Sequence, residues 1–424
     1  MMPMKSFTRR ALVLAATSAA AALALTGYGR GEDVVDNSPA QGTIQVWIGG
    51  AEGEKMPGFL ADFEKQNPGV KVEVTQIPSD QFDAKLLTAI AAGTVPDLVR
   101  LYSQSQASLM ATGAFAPVPA GLVNPADFFT NAYNTNIKSG VAYGIPLDVY
   151  ATMFQYRKDL AAKAGVAAPK TWDELKAFAK AMQAQGSKWG IGMDVGYDIY
   201  NAQGLNEYIH QNGGSFMDAG QTKWTINSEQ NVKALEFWGS LFSEGLASPD
   251  GPKFLDTVPW FTSGEIASKD IGPWFEQWAV DANGRPWVDA SLATAEMPAG
   301  PVGTASALGS GSVAVLKDGK NQAAAWKLAR YLTQPATQVA WYKLFGSLPS
   351  VKAAWDDPAI AGNKLLDAER KALETAVDIP QVPTWSQVGA YIGQQMERVA
   401  RGQATAQQVL DDAQSFAESV GVGG

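Results

Sequence analysis

The 424-residue chain has no cysteine and a single histidine, His210. The first absence excludes disulfides, a thiol nucleophile and thiolate metal ligation. The second makes any Ser-His-Asp triad depend on His210, and no Gly-x-Ser-x-Gly elbow is present to go with it. His210 lies between Tyr208 and Gly213-Gly214 in a helix tail, which favours a structural role. No His-Glu-x-x-His spacing and no Walker loop occur. Positive charge is also short. Thirty-three Lys and Arg face 42 Asp and Glu, for a net charge of −9. Phosphate backbones need clustered Lys and Arg, so this balance argues against nucleic acid. No apolar run after the N-terminal segment is long enough to span a bilayer.

What is present reads as an exported, two-domain globular protein. Met1 to Thr26 has a basic start (Lys5, Arg9, Arg10) and an apolar run from Ala11 to Leu25. This is the pattern of a secretion signal. Leu25-Thr26-Gly27-Tyr28-Gly29 resembles a bacterial lipobox with Tyr28 at the position of the lipid-carrying Cys. No thioether forms on Tyr, so the expectation is export without that anchor. The length exceeds what one core usually serves, so two domains are the default. A hydrophobic content of 46% with 18% charged residues is ordinary for a folded chain.

Thr43 to Ile48 alternates as a first strand. A helix runs to about Gln66, with Phe59, Leu60 and Phe63 at helical spacing. Val70 to Val74 alternates as a second strand. Gln81 to Ala92 is helical, and Gly93 to Val99 turns into a third strand. This β-α-β-α-β order predicts a parallel sheet with helices on its faces. Leu147 to Tyr156 is rich in β-branched and aromatic residues and suits a buried strand. Thr171 and Glu174 form a capping box for the helix that follows. Thr405 and Gln408 cap the last one.

Several of these stretches, in this order, resemble the extracellular solute-binding proteins of the sugar ABC transporter class (family 1, maltose-binding-protein-like). They are Phe59-x-x-x-Phe63, Asn67-Pro68-Gly69-Val70, Gly93-x-x-Pro96-Asp97 and Tyr143-Gly144-Ile145-Pro146. Tyr156-Arg157-Lys158-Asp159-Leu160, Thr171-Trp172-Asp173-Glu174-Leu175, Phe261-x-x-Gly264-x-x-Ala267 with Gly272-Pro273-Trp274, and Leu348-Pro349 complete the set. The resemblance covers about Thr43 to Val420. It implies an α/β, two-lobed periplasmic-binding-protein fold, each lobe a mostly parallel sheet flanked by helices, joined by a hinge. The corresponding division is signal 1–27, tether 28–41, first lobe 42–147, second lobe 148–308, return to the first lobe 309–347 and C-terminal helices of the second lobe 348–424. Gly309-Ser310-Gly311 is read as a flexible joint.

The same resemblance implies a non-enzymatic monomer without a cofactor, exported to the periplasm or outer cell face. It would capture a sugar between its lobes and pass it to the permease subunits of a transporter. Hinge closure would bury the solute, because solute touches both lobes. Ten per cent of the chain is aromatic. Sugars present apolar faces and polar edges, so a sugar cleft combines flat rings with amide and carboxylate groups. Strand ends and crossovers supply Tyr102 with Gln104, Asp148, Tyr150, Trp274 and Ser310, and the aromatic-polar loop Gly196-Tyr197-Asp198-Ile199-Tyr200-Asn201 supplies Tyr197, Asp198 and Asn201. The resemblance adds Glu52, Trp341 and Trp385, which stand where relatives carry cleft residues. Asp148 stands in an otherwise apolar strand, where an unpaired carboxylate is costly, and solute contact is favoured over a structural pair. Two other readings remain. One is the same fold with a non-sugar solute, such as a glycerophosphodiester or a polyamine. Phosphate calls for Arg or a nest of amides, and no Arg is among the candidates. The other is a secreted carbohydrate-active enzyme with a carboxylate pair, for which Asp148, Asp194, Asp198 and Glu276 are conceivable partners.

Overall fold

The computed structural model describes residues 38–50, 52–253 and 256–423. The signal segment and Tyr28 lie outside the described residues. Among the described residues, no helix is long and apolar enough to cross a membrane.

The strands in chain order are β1 (Gln41–Gly49), β2 (Gly69–Ile77), β3 (Leu98–Tyr102), β4 (Ile137–Lys138), β5 (Val141–Ala142), β6 (Ile145–Ala151), β7 (Met153–Arg157), β8 (Ser268–Ile271), β9 (Leu292–Ala295), β10 (Ser306–Val315), β11 (Leu348–Pro349) and β12 (Ala376–Val377). A large sheet has the order β11-β6-β10-β3-β1-β2, with β12 beside β10. A second sheet is β8-β7-β9, and β4-β5 is a small hairpin. The opening β-α-β-α-β run pairs in parallel, β1 with β2 and β1 with β3. The strands at the hinge run the other way. β10 is antiparallel to β3 and β6, and β7 is antiparallel to β8 and β9. Both sheets are therefore less parallel than expected, because strands arriving from the other lobe enter from the opposite end.

Each sheet has its own core. The first collects Ile44, Val46, Leu60, Phe63, Leu98, Ile145, Val313, Leu328 and Trp341. The second collects Phe154, Leu175, Phe178, Leu205, Tyr208, Trp238, Trp385 and Leu410. These are the two lobes of the expected fold class. The helix Trp172–Ala184 starts at the expected cap, where Glu174 N donates to Thr171 Oγ1 at 3.2 Å. The Glu174 carboxylate turns back one residue further and accepts from Lys170 N at 2.6 Å. At the C-terminus Thr405 and Gln408 exchange both bonds of a capping box.

The lobe boundaries differ from the expected ones. The stretch from Leu147 to Tyr156 is two strands, not one. β6 stays in the large sheet through Ala151, and β7 begins the second sheet at Met153, so the crossover is Thr152. The return is complete at Ser306, where β10 starts. The third shift is larger. Leu348-Pro349 pairs with β6 and Ala376-Val377 with β10, so the chain returns to the first lobe's sheet as late as Val377. The stretch between also touches the second lobe, where Asn363 donates to Glu276 and Leu365 O accepts from Thr294 Oγ1, and the chain joins the core around Phe154 at Ile379. Pairing partners far away in sequence set these boundaries, which local pattern cannot show.

Candidate functional site

The site is built where β3, β10 and β6 lie side by side. In β3 the period of two puts Leu98, Arg100 and Tyr102 on one face. Gly311 of β10 is the partner of both Tyr102 and Asp148, and Gly309 is the partner of Tyr150. The residues Arg100, Tyr102, Asp148 and Tyr150 therefore share one face over two glycines. A Cβ at Gly309 would overlap the Tyr150 ring, and one at Gly311 would come within 2.7 Å of Arg100 Nη2 and Asp148 Oδ1. These glycines provide room for side chains above them. That corrects the reading of Gly309-Ser310-Gly311 as a flexible joint.

Asp148 is corrected too. Its Oδ2 accepts from Arg100 Nη2 at 2.7 Å and its Oδ1 from Gly311 N at 2.7 Å. Arg100 Nη1 lies 3.5 Å from Glu52 Oε1, and the guanidinium stacks 4.3 Å from the Tyr102 ring centre. Burial works against the Arg100 charge, yet Asp148, then Tyr102 and Glu52, hold its pKa well above the ordinary value. The expected unpaired carboxylate is half of a buried ion pair. Its partner, 48 positions upstream, gave no signal inside the apolar run of β3.

The second lobe faces this surface with the N-terminal end of the helix Ile199–Gln211. Asp198 caps it, accepting from Tyr200 N at 2.9 Å, while Asn201 Oδ1 accepts from Asp198 N. Gln203, one turn beyond Tyr200 and on the same face, reaches across. Gln104 Nε2 donates to Gln203 Oε1 at 2.6 Å, and Gln203 Nε2 donates to Leu308 O at 3.1 Å. A second bridge runs from Ser386 Oγ to Ser108 Oγ at 3.1 Å. Tyr200, 50% exposed, stands beside these contacts. Its phenol pKa is raised, first by the surrounding protein, then by Tyr150, Tyr102, Asp198 and Asp83. Water thus reaches this ring from one side of a crowded cleft. Burial likewise pushes Tyr102 and Tyr150 up to about 12, so all three phenols are neutral donors at ordinary pH.

Trp274 closes one end. β8 stops at Ile271, Gly272 and Pro273 follow, and Trp274 opens a new helix, so the strand ends where expected. The indole folds back over Gly272 and meets the Tyr150 ring edge-on, centroids 4.6 Å apart. Next to it a recess of about 460 Å³ is lined by Pro273, Glu276, Gln277, Tyr342, Lys343 and Asn363, among others.

Of the candidates, Glu52, Tyr102, Gln104, Tyr150, Asp198 and Trp274 come together around the cleft. The others have internal roles. Tyr197 is buried and donates to Pro249 O at 2.9 Å. Asn201 is buried in the helix cap and bonds Asp194 O. Ser310 pairs with Val149, whose side chain is in an apolar cluster with Leu308, so it points to the opposite face from Asp148. Trp341 is wholly buried against Phe59 and Phe345, and Trp385 against Phe216. An amphipathic helix turns its largest ring inward, and both tryptophans follow that rule. Sequence reasoning missed Arg100, Tyr200 and Gln203. Tyr200 was within reach, since it lies between the candidates Asp198 and Asn201.

Two lobes, each with its own sheet and core, joined by antiparallel crossovers and facing each other across rings and amides, define a two-lobed binding protein. The chain belongs to the bacterial extracellular solute-binding proteins, whose family pattern matches residues 59–368. It is similar to the galactooligosaccharide-binding protein of Bacillus subtilis, with 25% identity over 94% of each chain. It is also similar to the sn-glycerol-3-phosphate-binding periplasmic protein UgpB of Escherichia coli K12, with 24% identity over 93% of this chain and 94% of that one. An ABC transporter solute-binding protein of Thermotoga lettingae, solved with α-D-tagatose, superposes with a TM-score of 0.81. It shares 25% identity, over 89% of this chain and 99% of that one.

Proposed function

We propose that the protein captures a neutral sugar or short oligosaccharide between its lobes and delivers it to the permease subunits of an ABC transporter, without chemical turnover. The observation that carries this reading is the composition of the cleft. Tyr102, Tyr150, Tyr200 and Trp274 offer ring faces and phenols. Gln104, Gln203, Ser108 and Ser386 offer edge-on hydrogen bonds from both lobes. Rings match the C–H faces of a sugar and amides match its hydroxyls. Glu52, Tyr102, Gln104, Tyr150, Asp198 and Trp274 are the proposed contacts, joined by Tyr200 and Gln203. The similarity to galactooligosaccharide- and tagatose-binding proteins supports the same class.

The similarity to UgpB raises a phosphorylated solute as the second reading. The Arg100 guanidinium at the cleft base already faces Asp148 and Glu52, so it offers a phosphate no uncompensated charge. The protein would act as an exported monomer, free of a lipid at Tyr28. A thermal-shift screen of monosaccharides, oligosaccharides and sn-glycerol 3-phosphate, followed by calorimetry on any hit, tests the reading. Stabilisation by a sugar and not by the phosphate is expected. Binding of the phosphate alone, or release of reducing sugar that stops on mutating one cleft carboxylate, would overturn it.

A further inference from the structure

The chain first crosses between sheets at Ala151-Thr152, and a buried carboxyl group holds each of these residues. Ala151 N donates to Glu369 Oε1 at 2.6 Å. Glu369 is 0% exposed, and its Oε2 has no hydrogen-bond partner. Thr152 Oγ1 donates to Glu207 Oε2 at 2.6 Å and accepts from Ala307 N, across the second crossover, at 2.9 Å. Glu369 is in the helix Asp367–Thr375. Leu373, one turn on, packs into the apolar cluster of Ala132, Val149 and Leu308 between the hinge strands.

The charges around Glu369 are engaged elsewhere. On its own helix Asp367 pairs with Arg370 and Lys364, Lys371 pairs with Glu296, and Glu374 is exposed. Of the strands packed on this helix, β6 carries Asp148, paired with Arg100, and β7 carries Arg157, paired with Asp159. β9 and β10 carry no charged side chain. An isolated ionised carboxylate in such a place is strongly disfavoured, and the group keeps its proton instead. Burial pushes Glu369 up to about 8, with the Ala151 amide pulling weakly the other way.

We propose that Glu369 is a proton-carrying clamp on the hinge. Neutral, it holds Ala151 and packs with Leu373 at the crossover. Ionised at alkaline pH, it draws water into that contact and loosens the crossover, so the opening of the lobes depends on pH through the hinge and not through the cleft.

The cysteine-free chain makes the test direct, and it needs no solute. Lys65→Cys on the first lobe and Lys233→Cys on the second become the only thiols. Spin labels on them report the inter-lobe distance at about pH 6 and about pH 9.5, on either side of the clamp's titration. The distance distribution should shift or broaden at the higher pH. In the same background Glu369→Gln, which keeps an acceptor for Ala151 but cannot ionise, should abolish the change. An unchanged distance in the parent, or an equal change in the Gln variant, overturns the proposal. Should Glu369→Gln not fold, the Ala151 amide resonance of the unsubstituted chain decides. It should titrate with a midpoint at about 8, and a flat shift through that range overturns the proposal.

Discussion

Arg100 Nη2 lies 2.7 Å from Asp148 Oδ2 across an intervening strand, with both side chains at most 6% exposed. The two residues are on β3 and β6, and β10 runs between them. They meet because Gly311, the residue between, carries no side chain. Charge pairing, strand order and one glycine thus form a single device at the base of the cleft.

Arg100→Ala should destabilise the protein by about 3–5 kcal/mol, because it leaves Asp148 buried without its cation. Urea unfolding of the variant checks this. A loss of under about 1 kcal/mol, the size of an exposed pair, would mean that the pair is far better hydrated than its burial indicates.

Gly309→Ala and Gly311→Ala should each cost about 1–3 kcal/mol, since a methyl group must displace Tyr150 or the ion pair. Gly58→Ala is the control. Gly58 is exposed in the helix Glu52–Gln66 with nothing within 4 Å of an added Cβ, so alanine there should stabilise by about 0.5–1 kcal/mol. If all three behave alike, the role assigned to space over the two β10 glycines is wrong.

Trp274→Ala should weaken solute binding by roughly 1.5–3 kcal/mol, the worth of burying a large apolar side chain. That is about ten- to more than a hundredfold in Kd. Calorimetric titration and a melting curve on the same variant separate this from a core role. A much lower melting temperature with unchanged affinity would assign the ring to structure.

The Gln104–Gln203 bond joins the lobes, so its value belongs to the closed form. A double-mutant cycle with Gln104→Ala and Gln203→Ala should give a coupling of about 0.5–1.5 kcal/mol in solute affinity. Additive effects on affinity would show that the two amides act separately in the bound state.

Folding stability should fall from mildly acid to alkaline pH. Burial raises Glu369 to about 8 and Asp378 to about 7. In this window the native state holds more protons than the unfolded chain, so raising the pH favours unfolding. The contribution is fully present below the ordinary carboxyl pKa and is lost as the pH passes through these raised values. Urea midpoints at about pH 5 and about pH 9 measure it, and Glu369→Gln should flatten the difference. A midpoint that rises with pH would contradict the assignment.

Sequence by itself determined the parts of this protein that depend on near neighbours. The β-α-β-α-β opening, the caps at Thr171 and Thr405 and the strand stop before Trp274 are set by periodicity, capping and proline chemistry within a few residues. The ordered run of family motifs carried the two-lobed class. Tertiary structure alone decided what depends on partners far along the chain. Asp148 became half of an ion pair because β10 brings Arg100 alongside. Ser310 turned from the cleft because its register partner is Val149 and not Asp148. Trp341 and Trp385 went into separate cores because each helix buries its largest ring. The expected lobe boundary at Leu348 did not hold because β11 and β12 pair back onto the first sheet. For Asp148, Ser310 and the lobe boundary the outcome rests on which strand lies beside which, a long-range choice that the local pattern of residues does not encode.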